Sequence, residues 1–280
     1  MKQYAYTDVI KRPYYFTAGL QTTVDQTTLE VAIPGYQTIS VDGRGLVGRD
    51  IQTSSYQFVR AGGKTRRRQR SSSNLPKNKL LDSRLSSRTL RIRFELQADT
   101  DEQLRRRWED LNALVNVVDE KFIFSDDPNY YYVGTLSDAE EAEEGMNHVF
   151  SSFSVECVDP YKYSVALYPW HFVGKGSLQT DYPYPVVLEK AELTAGTMGK
   201  SLVLLNETQG LSIRIDKNIT VGEKVVLDFR EYRVYDGSGR SIMPSLNLLS
   251  DFEGFSISSG DTIKANLQSD VVFHYREKRL

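Results

Sequence analysis

A single cysteine, Cys157, stands in a chain of 280 residues. It has no partner for an intramolecular disulfide, which fits folding in a reducing cytosol and excludes a disulfide-stapled scaffold. Histidine is equally scarce. His148, His171 and His274 lie far apart, without the close His and Cys spacing that a zinc site needs. No apolar run approaches the ~18 residues that span a bilayer. The opening Met1-Lys2-Gln3-Tyr4-Ala5-Tyr6-Thr7-Asp8 lacks the apolar stretch and cleavage site of a secretory signal. Charge of one sign is missing too: 35 Lys and Arg against 37 Asp and Glu leave a net charge of -2. That balance argues against a whole-molecule nucleic-acid or membrane-surface binder. The expectation is a soluble product made in the cytoplasm, with no membrane partner.

What is present is a globular composition, 40% hydrophobic and 26% charged, long enough for about two domains. Seventeen tyrosines and twelve phenylalanines favour strands. Thr89 to Gln97 alternates strictly, which aims Leu90, Ile92, Phe94 and Leu96 at a core and Arg91, Arg93 and Glu95 away from it. A helix follows over Asp101–Val118. Thr100 is its N-cap, Gln103 closes a capping box, and Leu104, Trp108, Leu111, Val115 and Val118 form its docking stripe. Lys121–Phe124 reads as a strand, Ser125–Asn129 as a turn and Tyr130–Leu136 as the returning strand. After an acidic loop with Glu140, Glu141, Glu143 and Glu144, Val149–Val158 gives another strand with Phe153, Val155 and Cys157 on one face. The linker holds Trp170 and His171. From Tyr182 onward short strands alternate with turns: Ser201–Leu205, Leu211–Ile215, Lys224–Asp228, Arg233–Tyr235 and Val271–Tyr275. That spacing predicts a sandwich or jelly roll. There is no internal repeat.

Catalytic patterns do not emerge. No Gly-x-Ser-x-Gly elbow occurs. Asp126-Asp127 precedes Pro128 in a turn, where Asp serves the local backbone, and adjacent residues on an extended chain point apart, unlike a glycosidase pair. Gly43-x-Gly45-x-x-Gly48 matches a dinucleotide fingerprint in form. That fingerprint needs a helix next, whereas Ile51–Val59 is β-rich, so these glycines serve turns and close backbone approach. No catalytic residue, metal site or cofactor is expected.

Arg60–Arg84 is strongly basic and reads as an extended loop or arm. Arg66, Arg67, Arg68 and Arg70 form its densest cluster. Three readings stand: a phosphate-binding arm, though it lacks the aromatic residues that stack bases; a solvated loop; or a contact with the acidic surface around Asp99–Asp110 and Asp138–Glu144, with Glu140, Glu141, Glu143 and Glu144, on a neighbouring copy. The inter-subunit contact is preferred over specific nucleic-acid binding.

An ordered series of segments resembles the siphophage distal tail proteins (Dit). It comprises Gly43-Arg44-Gly45-Leu46-Val47-Gly48-Arg49-Asp50, the strand Arg88–Leu96 with its helix, and Phe122-Ile123-Phe124-Ser125-Asp126-Asp127-Pro128-Asn129-Tyr130-Tyr131-Tyr132. It continues with Phe153–Tyr163 through Asp159-Pro160-Tyr161, and ends with Gly260–Ile263 and Val271–Arg276. The first of these departs from the family's Gly-Arg-Asp-Gly order. The resemblance implies a mainly β fold in two domains. Residues 1–168 would form an N-terminal β-barrel-like sheet with one helix, assembling into a hexameric ring. Residues 169–280 would form a C-terminal galectin-like β-sandwich. It implies a non-enzymatic baseplate hub at the virion's tail tip, with the tail tube protein, a tail-associated or fibre protein and receptor-binding proteins as partners. The rival expectation is a host-saccharide-binding adhesin acting through the C-terminal jelly roll; a cell-wall-degrading enzyme is a third.

Overall fold

The computed structural model describes residues 20–54, 79–140 and 147–280. They gather in two compact units, one built from Leu29–Glu120 and Val133–Pro160 with Leu20, the other from Gln21–Thr28, Lys121–Tyr132 and Tyr161–Leu280. Strand Tyr130–Ala139 is divided between them.

The first unit grows from strand Arg88–Gln97. Strict alternation from Thr89 onward gives one face the apolar Leu90, Ile92, Phe94 and Leu96, all buried to within 1% exposure, with Arg88 at the head of the same face. It pairs antiparallel with Tyr36–Asp42 on one side and His148–Cys157 on the other, placing Phe94 opposite Thr38 and Ser151. His148–Cys157 in turn pairs with the Thr135–Ala139 part of the divided strand.

Helix Asp101–Val115 buries Leu104, Leu111 and Val115 and sets Trp108 edge-on to Phe94, with ring centroids 5.6 Å apart. Each buried aliphatic side chain contributes about 1.5–3 kcal/mol. Thr100 caps the helix as the sequence predicts, accepting from the Gln103 amide at 3.3 Å. Gln103 reaches one residue further back than a capping box requires, its side-chain oxygen accepting from the Asp99 amide at 3.2 Å. The helix stops at Val115 because Asn116 leaves helical dihedrals (φ −79, ψ 66), so Val118 drops out of the stripe and is exposed. A single turn, Leu29–Ala32, adds a second short helix.

Strands Arg49–Ser54 and Lys79–Leu85 pair antiparallel, so the last residues of the expected arm, Lys79 to Arg84, belong to a strand rather than a loop.

In the second unit a five-stranded sheet and a four-stranded sheet enclose one core. The larger runs Tyr168–Val173, Asp270–Arg276, Val187–Thr194, Lys224–Asp228, Arg233–Asp236; the smaller runs Lys175–Ser177, Thr262–Ala265, Leu202–Asn206, Leu211–Ile215. This is the expected sandwich. Gly174, at φ +66, lets the first strand leave one sheet and enter the other, a left-handed conformation that other side chains resist. Trp170 and His171 therefore lie in the sandwich's first strand and not in a linker. Trp170 stacks 5.6 Å from Phe273, and Pro169 is tolerated because the strand is an edge.

Candidate assembly surfaces

Arg66, Arg67, Arg68 and Arg70, with Glu141, Glu143 and Glu144, lie outside the described residues. Glu140 is described. Its carboxylate accepts from the Arg91 guanidinium on the open face of the first unit's sheet, both side chains about half exposed. On the same face Arg93 meets Asp42 at 3.5 Å and His148 meets Glu95. Such exposed pairs contribute little energy, typically about 0–1 kcal/mol each, but they leave a polar, charge-matched surface. Along the helix, Asp101, Glu102, Arg105, Arg106, Glu109 and Asp110 are exposed, with Arg106 bound to Glu102 at 2.7 Å.

Sequence reading missed Arg88. It lies on the apolar side of its strand, in phase with Leu90 and Ile92, and is 3% exposed. Its Nε donates to the Pro160 carbonyl at 2.9 Å, and one terminal nitrogen donates to the carbonyls of Gly43 (3.0 Å) and Gly45 (3.2 Å). One buried guanidinium thus joins two segments that carry the Dit resemblance, the early glycine run and the Asp159-Pro160-Tyr161 turn. Gly43 itself sits at φ +88, where a Cβ would lie 2.0 Å from the Thr89 carbonyl oxygen. Strand Arg49–Ser54 follows these glycines, so the dinucleotide reading fails on structure as well. The phase of Arg88 with its apolar neighbours was the available signal. Across the ladder from it, burial pushes the Cys157 thiol up to about 12, with Arg88 opposing to a lesser degree.

The other candidates separate. Asp127 sits in the predicted turn, its amide donating to Phe124 and its carboxylate held by Lys162. His148 and His171 contact different carboxylates, Glu95 and Asp270. Among the described residues no three His, Cys, Asp or Glu side chains gather as metal ligands.

In the sandwich, the turns at Asn206–Gly210 and Ser258–Asp261 are tied together. Asn206, fully buried, donates to Asp261 at 2.9 Å and to the Ser256 carbonyl at 2.9 Å, and its own side-chain oxygen accepts from the Thr208 and Gln209 amides. A different loop covers the outer edge of Leu211–Ile215. Asp251 accepts from the Ser212 amide at 2.9 Å, Ser250 from the Arg214 amide at 3.0 Å, and the Asn247 amide donates to the Arg214 carbonyl at 2.8 Å. Pinned in this way, the loop holds Leu248 and Leu249 almost fully in solvent, 100% and 88% exposed. Leu248 helps line a groove of about 470 Å³ together with Leu211, Tyr232, Met243, Leu246, Phe252 and the acidic residues Asp251 and Glu253.

Comparison with known proteins assigns this architecture. Residues 48–156 match the phage tail protein RIFT-related domain, and residues 182–278 match the C-terminal domain of the siphovirus-type tail component. The chain belongs to the siphophage distal tail protein family. As a distal tail protein it is a structural component of the virion's tail and not an enzyme. Its fold resembles the solved Dit protein of phage SPP1, described as a paradigm of the hub adsorption apparatus in phages infecting Gram-positive bacteria. The TM-score is 0.70 at 18% identity, over 94% of this chain and 100% of that one. The phage p2 baseplate in its activated conformation with calcium gives 0.49 at 8% identity, over 93% and 99%. No curated protein sequence matches the chain.

Proposed function

We propose that this distal tail protein is the ring-forming hub of a siphophage tail tip. Six copies close a ring through residues 1–168, joining the tail tube protein above to a tail-associated or fibre protein below. Residues 169–280 face outward and carry receptor-binding proteins. The observation that carries the reading is likeness along the whole chain: two tail-domain matches in order, and a fold spanning the full length of a protein described as a hub. Weak, charge-matched faces such as the sheet bearing Arg91, Arg93, Glu95 and Glu140 suit copies that must find one register, since complementary charge sets specificity more than affinity. The basic residues Arg66, Arg67, Arg68 and Arg70 contact an acidic surface of the neighbouring copy, which includes Glu140, Glu141, Glu143 and Glu144.

Native mass measurement and particle images of the purified full chain test the ring. A six-fold species supports it, and a strict monomer at high concentration with no ring in the images overturns it. Changing Arg66, Arg67, Arg68 and Arg70 together to Glu is expected to impair ring or tail assembly. If assembly is intact and only DNA retention changes, the inter-subunit role fails. The adhesin reading gains little from the groove, because the polar groups of Asn247, Ser250 and Asp251 are already bonded to Asp216, Arg214, Ser212 and Leu249 within the chain.

A further inference from the structure

We propose that residues Glu277–Leu280 are a releasable strap, which holds segments Lys121–Tyr132 and Tyr161–Ser164 in place within the second unit and opens without unfolding the sandwich.

The strap begins where the core ends. Val271, Phe273 and Tyr275 are buried, whereas no residue after Tyr275 is. The chain then forms the two-residue strand Lys278–Arg279, which pairs with Lys162 and Tyr163. These in turn pair with Tyr132 and Tyr131, and Ser164 with Tyr130. Two further bonds close the junction: the Ser164 amide donates to the Glu277 carbonyl at 2.9 Å, and the Glu277 amide donates to the Ser164 hydroxyl at 3.1 Å. Arg276 donates to the carbonyls of Ser164, at 2.9 Å, and Val165.

Side chains on this ladder are cations over tyrosine rings. Arg279 lies 3.9 Å from the centroid of Tyr182 and 4.4 Å from that of Tyr130. Lys278 lies 4.5 Å from Tyr161, and Lys162 lies 4.8 Å from Tyr130. At partly exposed sites each such contact is small. Arg279 also carries a cost, since its Nε is buried with no hydrogen-bond partner among the described residues. The sandwich core, by contrast, is continuous apolar packing from Phe172 to Tyr275. A segment with two ladder residues and no buried apolar side chain belongs to the low-stability end of the molecule, where opening is local.

Hydrogen exchange of the full chain, read segment by segment, tests the strap. Deleting Lys278–Leu280 is expected to speed exchange across Tyr130–Tyr132 and Lys162–Val165 by about tenfold or more, leaving Ala191–Leu193 and Val271–Tyr275 as protected as before. Arg279→Met, which keeps length but removes the cation, is expected to give a smaller change at the same segments. Unchanged exchange at those segments in both variants overturns the proposal. So does loss of protection throughout the second unit, since the strap would then be inseparable from the core.

Discussion

Arg88 shows how much one side chain can determine in this fold. Its guanidinium fork reaches three backbone carbonyls from two separate segments, a task for which a lysine's single point of charge is poorly shaped. Arg88→Ala removes these charge-assisted bonds, the buried one to Pro160 included, and is expected to lower stability by about 3 kcal/mol, with Arg88→Lys recovering only part; urea unfolding measures both. Glu192 makes a different prediction. Hydrogen bonds from Lys190 and Lys224 hold its carboxyl at about 2, from an ordinary 4.5. A depressed acid contributes stability that is fully present above pH 4.5 and lost as pH falls toward 2. Glu192→Gln should therefore flatten the acid limb of a melting-temperature profile in that window. Both lysines are nearly half exposed, so salt should shrink the difference. If the variant and the parent lose stability in parallel between those pH values, the ion cluster contributes nothing.

At the scale of elements, legibility followed periodicity. Thr89 to Gln97 alternates without a fault, and the helix after it carries both a cap and a stripe, so each was read from sequence nearly to its ends. Thr100→Ala is expected to cost about 1 kcal/mol in thermal or urea melts, as the loss of an N-cap does. Val187–Thr194 lies at the centre of the five-stranded sheet yet went unrecognised. A bulge between Leu188 and Lys190 shifts its apolar phase, so Leu188 and the pair Ala191 and Leu193 fall on opposite parities. Tyr168–Val173 was hidden by Pro169 and by an exposed outer face. The capping loop at Asn247–Asp251 has no pattern at all, because it works by pairing with a strand edge distant in sequence. Arg88 and the strap were similarly out of reach, since their partners lie 43–72 and more than 100 residues away.

For the whole molecule, the family and the mainly β fold were visible because several short segments recur in one order, while the surfaces that meet other proteins were not. Interfaces need no periodicity, and the basic cluster and most of the acidic loop fall outside the described residues. Leu248 and Leu249 offer a direct probe at this scale. Changing both to Asp removes apolar surface that the fold does not use. The melting temperature is expected to stay within experimental error, while attachment of the proposed receptor-binding partners to assembled tails falls. Tails that retain those proteins in full would show that the leucines are idle.

The sandwich's first and last strands lie side by side, with Tyr168 opposite Tyr275. The chain therefore enters and leaves this layer at the same corner. Tension applied between those two points would peel the ladder one rung at a time, the geometry in which paired strands resist least, rather than shear all rungs together. Tyr168 and Tyr275 form the first rung to meet such a load, so under tension this layer would open from that corner.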